Sequence, residues 1–426
     1  MLEKLIIFIP IENIGFERFV QTFSLYTFIV AIISPFLLLF LKMKKSSIFS
    51  SILWLTIWLI FSSAVKTLIE FEVPENFFRA FSGLVIGLLL FISLREIFHR
   101  YDSLNWFKYL YYSYIILFVF FIYDLIFNFQ ETFRIYASYT EPSHLGNDLA
   151  LIYIPIFILY SEHMRKVQKL FIVLSLMVIT ILTFSATTYV KILLFFFLYL
   201  ILSINKPRQV FYLLFIAMIS IISIFIFFRL YPNNYFVVML NHVIDGIKKG
   251  YDYLPVSLTD KASFWIFLFN LFNNNTEFSI GFLLKFIFGG GLGSDLSFLQ
   301  FLPPVVADKI MSVKTFGSYI TPFFGRIFFY GGIIGFILYF IFIFSIYKKI
   351  KLISSTSRQK AVLVSWLITY LFASSFDMAP FQTIALWFLP AYIDGISLKL
   401  ISRRYHEKNS FSFFSSSLPT NRRRSS

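Results

Sequence analysis

The chain has 426 residues, of which 58% are hydrophobic and only 14% charged, and its mean hydropathy is +0.78. Water-soluble domains are about 45–50% apolar and about 25% charged, so the composition excludes a soluble globular protein and predicts an all-α protein that crosses a membrane many times. The sequence contains no cysteine, which excludes disulfides and thiolate metal sites, and its net charge of +15 suggests basic connections on one side of a membrane before it suggests nucleic-acid binding.

Apolar segments of roughly membrane-spanning length recur along the whole chain. A helix that crosses the hydrocarbon core needs about 17–25 mostly apolar residues. Eleven segments are predicted to cross, some of them short: 19–41, 51–69, 79–94, 109–127, 148–161, 170–186, 188–203, 210–228, 321–346, 361–376 and 381–397. We expect residues 1–403 to form a single transmembrane domain and residues 404–426 a basic cytoplasmic tail, disordered over 411–426.

Alternate connections between these segments differ in charge. One set contains 23 of the 37 Lys and Arg residues but only four of the 22 acids. It comprises residues 42–50, 95–108, 162–169, 204–209, 347–360 and 398–426. Because Lys and Arg are enriched in cytoplasmic connections, we expect this set inside, with the N-terminus outside and the C-terminus in the cytoplasm.

Two of the predicted outer connections are long, residues 128–147 and residues 229–320. The second is nearly neutral and too rich in aromatic residues for disorder. It contains two short apolar segments, 263–272 and 278–288, separated by Asn-Asn-Asn-Thr-Glu. We expect them to lie on the membrane as amphipathic helices or to form a re-entrant pair. In the alternative, one or both cross, which raises the number of spans to 12–13.

The sequence Thr-Glu-Pro-Ser-His at positions 140–144 lies at the outer start of the fifth predicted span. Thr or Glu can cap a helix and Pro suits its first turn, so most of this sequence is typical of a helix start. Capping does not explain His144. Glu141 and His144, one turn apart at a water-facing helix end, are a pair that acid–base chemistry uses. The spacing alone leaves capping and chemistry equally open.

Several other charged residues lie in or near the spans. Arg326, a few residues inside the ninth span, either binds an anionic group or extends its side chain to the lipid head groups. Lys191 and Arg229 raise the same question. Partial solvation near span ends is expected for Asp124, Asp377 and Asp394. Glu70, Glu72 and Glu75 lie close together in sequence. We expect them to form a solvated face or, alternatively, to bind a divalent cation.

Arg134 followed by Glu141, Pro142 and Ser143 resembles the Arg…Glu-Pro-Ser segment of bacterial O-antigen and exopolysaccharide polymerases. The order of parts is similar as well: many spans, one large outer loop late in the chain, then a Gly-rich segment and paired closing spans. The sequence Gly-Gly-Gly-Leu-Gly at 289–293 resembles the Gly-x-Gly-x-Gly stretch of the O-antigen polymerase and ligase superfamily. The resemblance implies a GT-C-like glycosyltransferase architecture.

The same resemblance implies an activity: a metal-independent glycosyltransferase without a cofactor, in the bacterial cytoplasmic (inner) membrane. Its substrates would be a growing glycan on undecaprenyl diphosphate and a lipid-linked repeat unit. Its partners would be membrane lipids, a chain-length regulator and a flippase, and no nucleic acid. An O-antigen ligase, or a flippase or transporter of lipid-linked oligosaccharide, is the alternative; an assembly subunit is a further one.

Roles follow from the resemblance for individual residues. Three residues are the catalytic candidates. Glu141 or His144 would activate or position the acceptor hydroxyl, and Arg134 would bind the diphosphate. Binding of diphosphate or glycan is assigned to Arg326, Lys261, Gly291, Gly293 and His242. Lys261 stands where the family commonly has an arginine, and His242 lies early in a loop in which ligases tend to have a late histidine. The alternative for the glycines is a turn where backbones pack closely.

Overall fold

A computed structural model describes most of the chain. The described residues are 32, 34, 44–70, 73, 76–127, 137, 142–183, 185–204, 229, 241–242, 244–246, 248–250, 253–273, 280–294, 299, 302–313, 322–376, 381 and 383–416. Their regular structure is entirely helical, with no strand among them, which confirms the predicted all-α class.

Most of the helices are long and apolar. In chain order they are α1 (Ser47–Glu70), α2 (Phe77–Arg100), α3 (Ser103–Phe127), α4 (Pro142–Asp148), a π-helix (Leu149–Tyr153), α5 (Ile154–Leu159), a 3₁₀-helix (Ser161–His163), α6 (Lys166–Leu182), α7 (Ala186–Ser203), α8 (Val256–Asn273), α9 (Ile280–Phe288), α10 (Pro304–Val313), α11 (Phe323–Ile353), α12 (Ser357–Phe376) and α13 (Ile384–Ser416).

Five helices in the described part of the chain have the length and hydropathy of membrane spans: α1, α2, α3, α11 and residues 384–402 of α13. The protein therefore has the architecture of a multi-pass α-helical membrane protein. Helices also occupy the predicted spans at 148–161, 170–186, 188–203 and 361–376. The spans predicted at 19–41 and 210–228 lie almost wholly outside the described residues. The total of eleven and the orientation stay predictions.

The two apolar segments of the late outer loop form α8 and α9. The nine residues of α9 extend about 14 Å, roughly half the thickness of a hydrocarbon core. Both helices pack on the first half of α11: Phe264 and Phe267 of α8 contact the ring of Phe328, and so does Phe286 of α9. This arrangement favours the re-entrant or interfacial interpretation over two crossings.

The centre of the bundle is formed by α2, α11, α12 and α13. Helix α13 packs along α2, and α11 packs along α1. Aromatic edges fill the space between them: Phe98 of α2 meets Trp106, Phe388 and Tyr392 at ring-centroid distances of 4.9, 5.3 and 5.4 Å. Edge-to-face pairs of this kind add to the stabilisation from burial.

One end of the bundle collects residues from the predicted cytoplasmic connections, and we call it the base-rich end. There the Lys44 ammonium donates to the Ser402 hydroxyl at 2.7 Å, and Lys399 Nζ lies 3.5 Å from a carboxylate oxygen of Asp102. At the opposite end Lys285 Nζ lies 3.2 Å from a carboxylate oxygen of Glu70. The two sets of connections thus lie at opposite ends of the described bundle.

Two expectations about acids near span ends are wrong. Asp394 is fully buried because α13 continues far beyond it, and its carboxylate lies 2.9 Å from Arg95 Nε and accepts a hydrogen bond from Ser46 at 2.6 Å. Asp124 is also buried, and it accepts the backbone N–H of Ala137 at 3.0 Å. Both carboxylates have protein partners in place of water.

The remaining expectations concern the C-terminal tail, Asp377 and the acidic loop. The prediction of disorder is wrong for residues 411–416, which continue α13 as a helix to Ser416. Asp377 lies outside the described residues, as do Glu72 and Glu75 of the acidic loop. Glu70 is described, and it pairs with Lys66 and Lys285.

Candidate functional site

The helix that contains the fifth predicted span begins before it, at Pro142, and changes register in its middle. It runs as α4, then one π-helical segment, then α5, and every residue of the π-helix is buried. The cause lies at Pro155, which has no N–H to donate to the carbonyl of Leu151 four residues earlier. The indole of Trp366 in α12 donates to that carbonyl instead, at 2.7 Å. π-helical segments of this kind are frequent at functional sites.

A group of buried polar side chains lies where α4 packs on the start of α7, and we call it the polar cluster. Its members are Asn147, Thr188 and Lys191, each no more than 1% exposed; Asp148, equally buried, follows Asn147 in α4. The ammonium of Lys191 donates to the side-chain oxygen of Asn147 at 2.5 Å. A lysine buried in a membrane helix is costly unless hydrogen bonds or a counter-charge compensate it, so such a residue marks a candidate site.

Gly146 allows this close approach of the two helices. A Cβ atom at that position would sit 1.9 Å from the hydroxyl oxygen of Thr188, which no side chain could tolerate. His144 lies on the same helix, three residues before Asn147 and four before Asp148, so these side chains share one face of α4. The half-buried His144 is thereby placed one turn from the polar cluster.

The Gly-rich segment after α9 is buried against α11 and α1. The N–H of Gly290 donates to the carbonyl of Phe329 at 2.8 Å, and the N–H of Gly291 to that of Tyr330 at 3.0 Å. The N–H of Leu292 donates to the hydroxyl of Ser63 at 2.7 Å. These three N–H groups therefore bind the protein's own oxygens, as the close-packing alternative predicts. The assignment of substrate contacts to the glycines stays a prediction.

Backbone conformation and close packing explain why glycine occupies two positions here, one in the Gly-rich segment and one in α11. Gly291 has φ of +80°, and a Cβ on it would lie 2.7 Å from the Cα of Ser63. Gly332 has φ of +63° and forms the kink in α11, where a Cβ would lie 2.2 Å from the carbonyl oxygen of Ile287. Only glycine adopts this conformation readily and permits such contact.

Arg326 lies in the first turn of α11, three residues before the carbonyl that receives Gly290. It is 8% exposed, so the residue is largely withdrawn from solvent. The next turn of α11 contains Tyr330, whose ring stacks on that of Phe381 at a centroid distance of 6.2 Å. The Gly-rich segment thus binds the turn of α11 that follows Arg326.

The other predicted site residues are dispersed or outside the description. Glu141 and Arg134 lie outside the described residues. Lys261 is half-buried in α8, and His242 is exposed in the late loop. Within the described part of the chain, no group of three or more His, Asp or Glu side chains lies close enough to hold a metal ion.

Two groups of buried residues therefore lie at the end opposite the base-rich end: the polar cluster, one turn from His144, and Arg326, one turn before the part of α11 that the Gly-rich segment binds. Sequence reasoning missed Asn147, Asp148 and Thr188, and raised Lys191 only as an open question. The available signal was an Asn-Asp pair at the edge of an apolar span and a Thr-Thr pair shortly before the lysine of another.

Comparison with known proteins adds no family. No protein-family model matches the chain, and no curated protein matches it significantly.

Proposed function

We propose that the protein is a glycosyltransferase that polymerises lipid-linked oligosaccharide repeat units at the outer face of a bacterial cytoplasmic membrane. The observation that carries the proposal is the buried lysine of the polar cluster, whose partner Asn147 lies three residues after His144, at the end of the bundle opposite the base-rich end. The resemblance of the preceding Arg…Glu-Pro-Ser segment to O-antigen and exopolysaccharide polymerases supplies the substrate class.

The reaction needs a base and cations. A hydroxyl of the acceptor repeat unit attacks the anomeric carbon at the reducing end of the donor glycan, and the bond from that carbon to the diphosphate oxygen breaks. The hydroxyl proton passes to Glu141 or His144. The departing undecaprenyl diphosphate gains negative charge, and preorganised cations stabilise it. Lys191 and Arg326 supply buried cations for this role, with Arg134 and Lys261 as further candidates.

The distribution of buried charge weighs against a transporter. A transport path for a charged substrate would require charged groups through the depth of the membrane. Among the described residues, the buried charges form two groups: Asp124, Asp148, Lys191 and Arg326 towards one end, and Arg95, Glu96 and Asp394 towards the base-rich end. The described residues between these groups contribute no buried charge. An O-antigen ligase differs from the proposed enzyme only in its acceptor.

The proposal is tested by glycan length in cells that carry Lys191→Met in place of the native gene, compared with a deletion. Loss of one preorganised charge contact typically costs about 10²–10³ in rate. We expect long glycans to disappear while single lipid-linked repeats remain exposed on the outer face. Membrane levels of the protein are measured in parallel, and Lys348→Met, at an exposed lysine of the base-rich end, is the charge-matched control.

A second variant separates chemistry from folding. Asn147→Leu/Lys191→Met removes both members of this hydrogen bond, so the protein is expected at higher levels than Lys191→Met but still without polymerisation. The predicted segment is tested by Glu141→Gln and Arg134→Ala in the same assay. Normal chain length in all of these variants would contradict the site. Accumulation of repeats on the inner face would favour the transporter.

A further inference from the structure

A cavity of about 540 Å³ opens at the base-rich end, away from the proposed site. It lies where the end of α11, the start of α12, the 3₁₀-helix and α13 meet. One part of its wall is apolar and includes Leu352, Ile353 and Leu400. The other part is polar and includes Arg358 and His163. A cavity of mixed polarity at the end of a membrane bundle is suited to an amphipathic ligand.

Arg358 is held on the wall of this cavity by the turn that precedes α6. Its guanidinium donates to the Ser161 hydroxyl at 2.7 Å, to the Ile158 carbonyl at 3.3 Å and to the Glu162 carboxylate at 3.1 Å. The side chain nevertheless stays 46% exposed. Arginine has five N–H donors in a planar fork, so these three contacts leave two N–H groups, on Nε and Nη1, for a phosphate.

We propose that this cavity binds the head group of an anionic phospholipid. The phosphate would face Arg358 and His163, and the first carbons of an acyl chain would contact Leu352, Ile353 and Leu400. Basic pockets between membrane helices on the cytoplasmic side bind anionic head groups, and here the base is Arg358, whose charge Glu162 offsets in part. The volume lies within the range of about 300–1,000 Å³ that is usual for small-molecule sites.

Glu162 sets the strength of this site. Its carboxylate is 78% exposed and neutralises part of the charge of Arg358. A lipid phosphate therefore competes with Glu162 for the guanidinium, which predicts reversible binding. The pair also predicts opposite effects of two charge-removing substitutions: Arg358→Gln weakens binding of the lipid, and Glu162→Gln strengthens it.

The test is native mass spectrometry of the purified full chain in detergent with added dioleoyl phosphatidylglycerol. Dioleoyl phosphatidylcholine is the neutral-lipid comparison, and glycerol phosphate is the soluble one. We expect phosphatidylglycerol to bind in preference to both. Arg358→Gln should weaken binding about tenfold, the value of one charge-assisted hydrogen bond, and Glu162→Gln should tighten it severalfold.

Lys348→Gln removes an equal charge at the same end but outside the cavity wall, and it should leave the binding of phosphatidylglycerol unchanged. An equal loss in Lys348→Gln and Arg358→Gln would show attraction to the whole basic surface and overturn the proposal. Equal binding of phosphatidylcholine would overturn it too. So would glycerol phosphate binding as tightly as the lipid, because the apolar wall would then contribute nothing.

Discussion

Arg95 and Asp394 form an ion pair that is removed from solvent on both sides. Both side chains are fully buried, and Arg95 Nε lies 2.9 Å from a carboxylate oxygen of Asp394. The guanidinium also donates to the backbone carbonyl of Lys44, while Ser46 donates to the carboxylate. The pair thus joins α2 and α13 to the residues just before α1. Three segments that are distant in sequence are held together by one buried contact.

Replacing one member of this pair should destabilise the protein strongly. In Asp394→Asn the charge of Arg95 loses its close partner, and Glu96, at 3.9 Å, compensates it only in part. Breaking a buried pair from one side typically costs about 3–5 kcal/mol. We expect a loss of that size in the free energy of unfolding, measured by SDS titration of the purified protein in mixed micelles.

The double variant Arg95→Met/Asp394→Leu serves as the control for that prediction. It removes both charges and fills the space with apolar atoms, so it should recover most of the lost stability, because desolvation of the ions no longer opposes folding. If the double variant is as unstable as Asp394→Asn, the cost arises from packing at these positions and not from the uncompensated charge.

Single residues show where sequence reasoning reaches its limit. The cost of a charge in a membrane helix is visible in the sequence, so Lys191 and Arg326 could be recognised as unusual. The partners of buried charges could not be recognised, because they are distant in sequence: Asn147 lies 44 positions before Lys191, and Asp394 lies 299 positions after Arg95. Which polar side chains meet depends on how the helices pack, and hydropathy contains no information about that pairing.

The π-helical segment shows the same dependence at the scale of a helix. Pro155 predicts a disturbed helix from sequence alone. The relief of that disturbance depends on Trp366, which lies in another helix and donates to the carbonyl of Leu151. The length of the apolar segments therefore located the long helices of this bundle, whereas the π-helical register within the fifth span is accompanied by a tertiary contact that the sequence does not show.

A double-mutant cycle tests this account. Trp366→Phe leaves the buried carbonyl of Leu151 without its donor, and the expected cost is about 1–3 kcal/mol of unfolding free energy. In a Pro155→Ala background the restored N–H of residue 155 can donate to the same carbonyl. The cost of Trp366→Phe should then fall by about 1 kcal/mol, a coupling that SDS unfolding curves of the four variants measure. Equal costs in both backgrounds would show that the indole acts only by filling space.

At the scale of the whole molecule, the two ends differ in charge and in chemistry. Lys and Arg residues from the predicted cytoplasmic connections gather at the base-rich end, where Lys44, Arg358 and Lys399 bind oxygen atoms of neighbouring segments. The polar cluster, Arg326 and the Gly-rich segment lie at the other end. Charge counting could predict this separation, because it depends only on which residues fall between apolar segments.

The orientation of the two ends can be read with single cysteines, because the natural sequence contains none. Lys248 and Lys360 are both exposed, the first in the late loop and the second at the start of α12 in the base-rich end. In right-side-out spheroplasts a membrane-impermeant maleimide should label Lys248→Cys, and should label Lys360→Cys only after permeabilisation. Ala391→Cys, at a fully buried position in α13, should resist labelling on both sides.

The outcome decides more than topology. Enrichment of Lys and Arg on the cytoplasmic side predicts that the base-rich end faces inward. Lipid-linked repeat units would then be polymerised by the polar cluster on the outside, and an anionic phospholipid would bind inside. Labelling with the reverse pattern would place Lys191 and Arg326 near the cytoplasm, and the proposed outer-face polymerisation would fail. Labelling of both lysine positions from outside would instead contradict the arrangement of the bundle itself, since these residues would share one end.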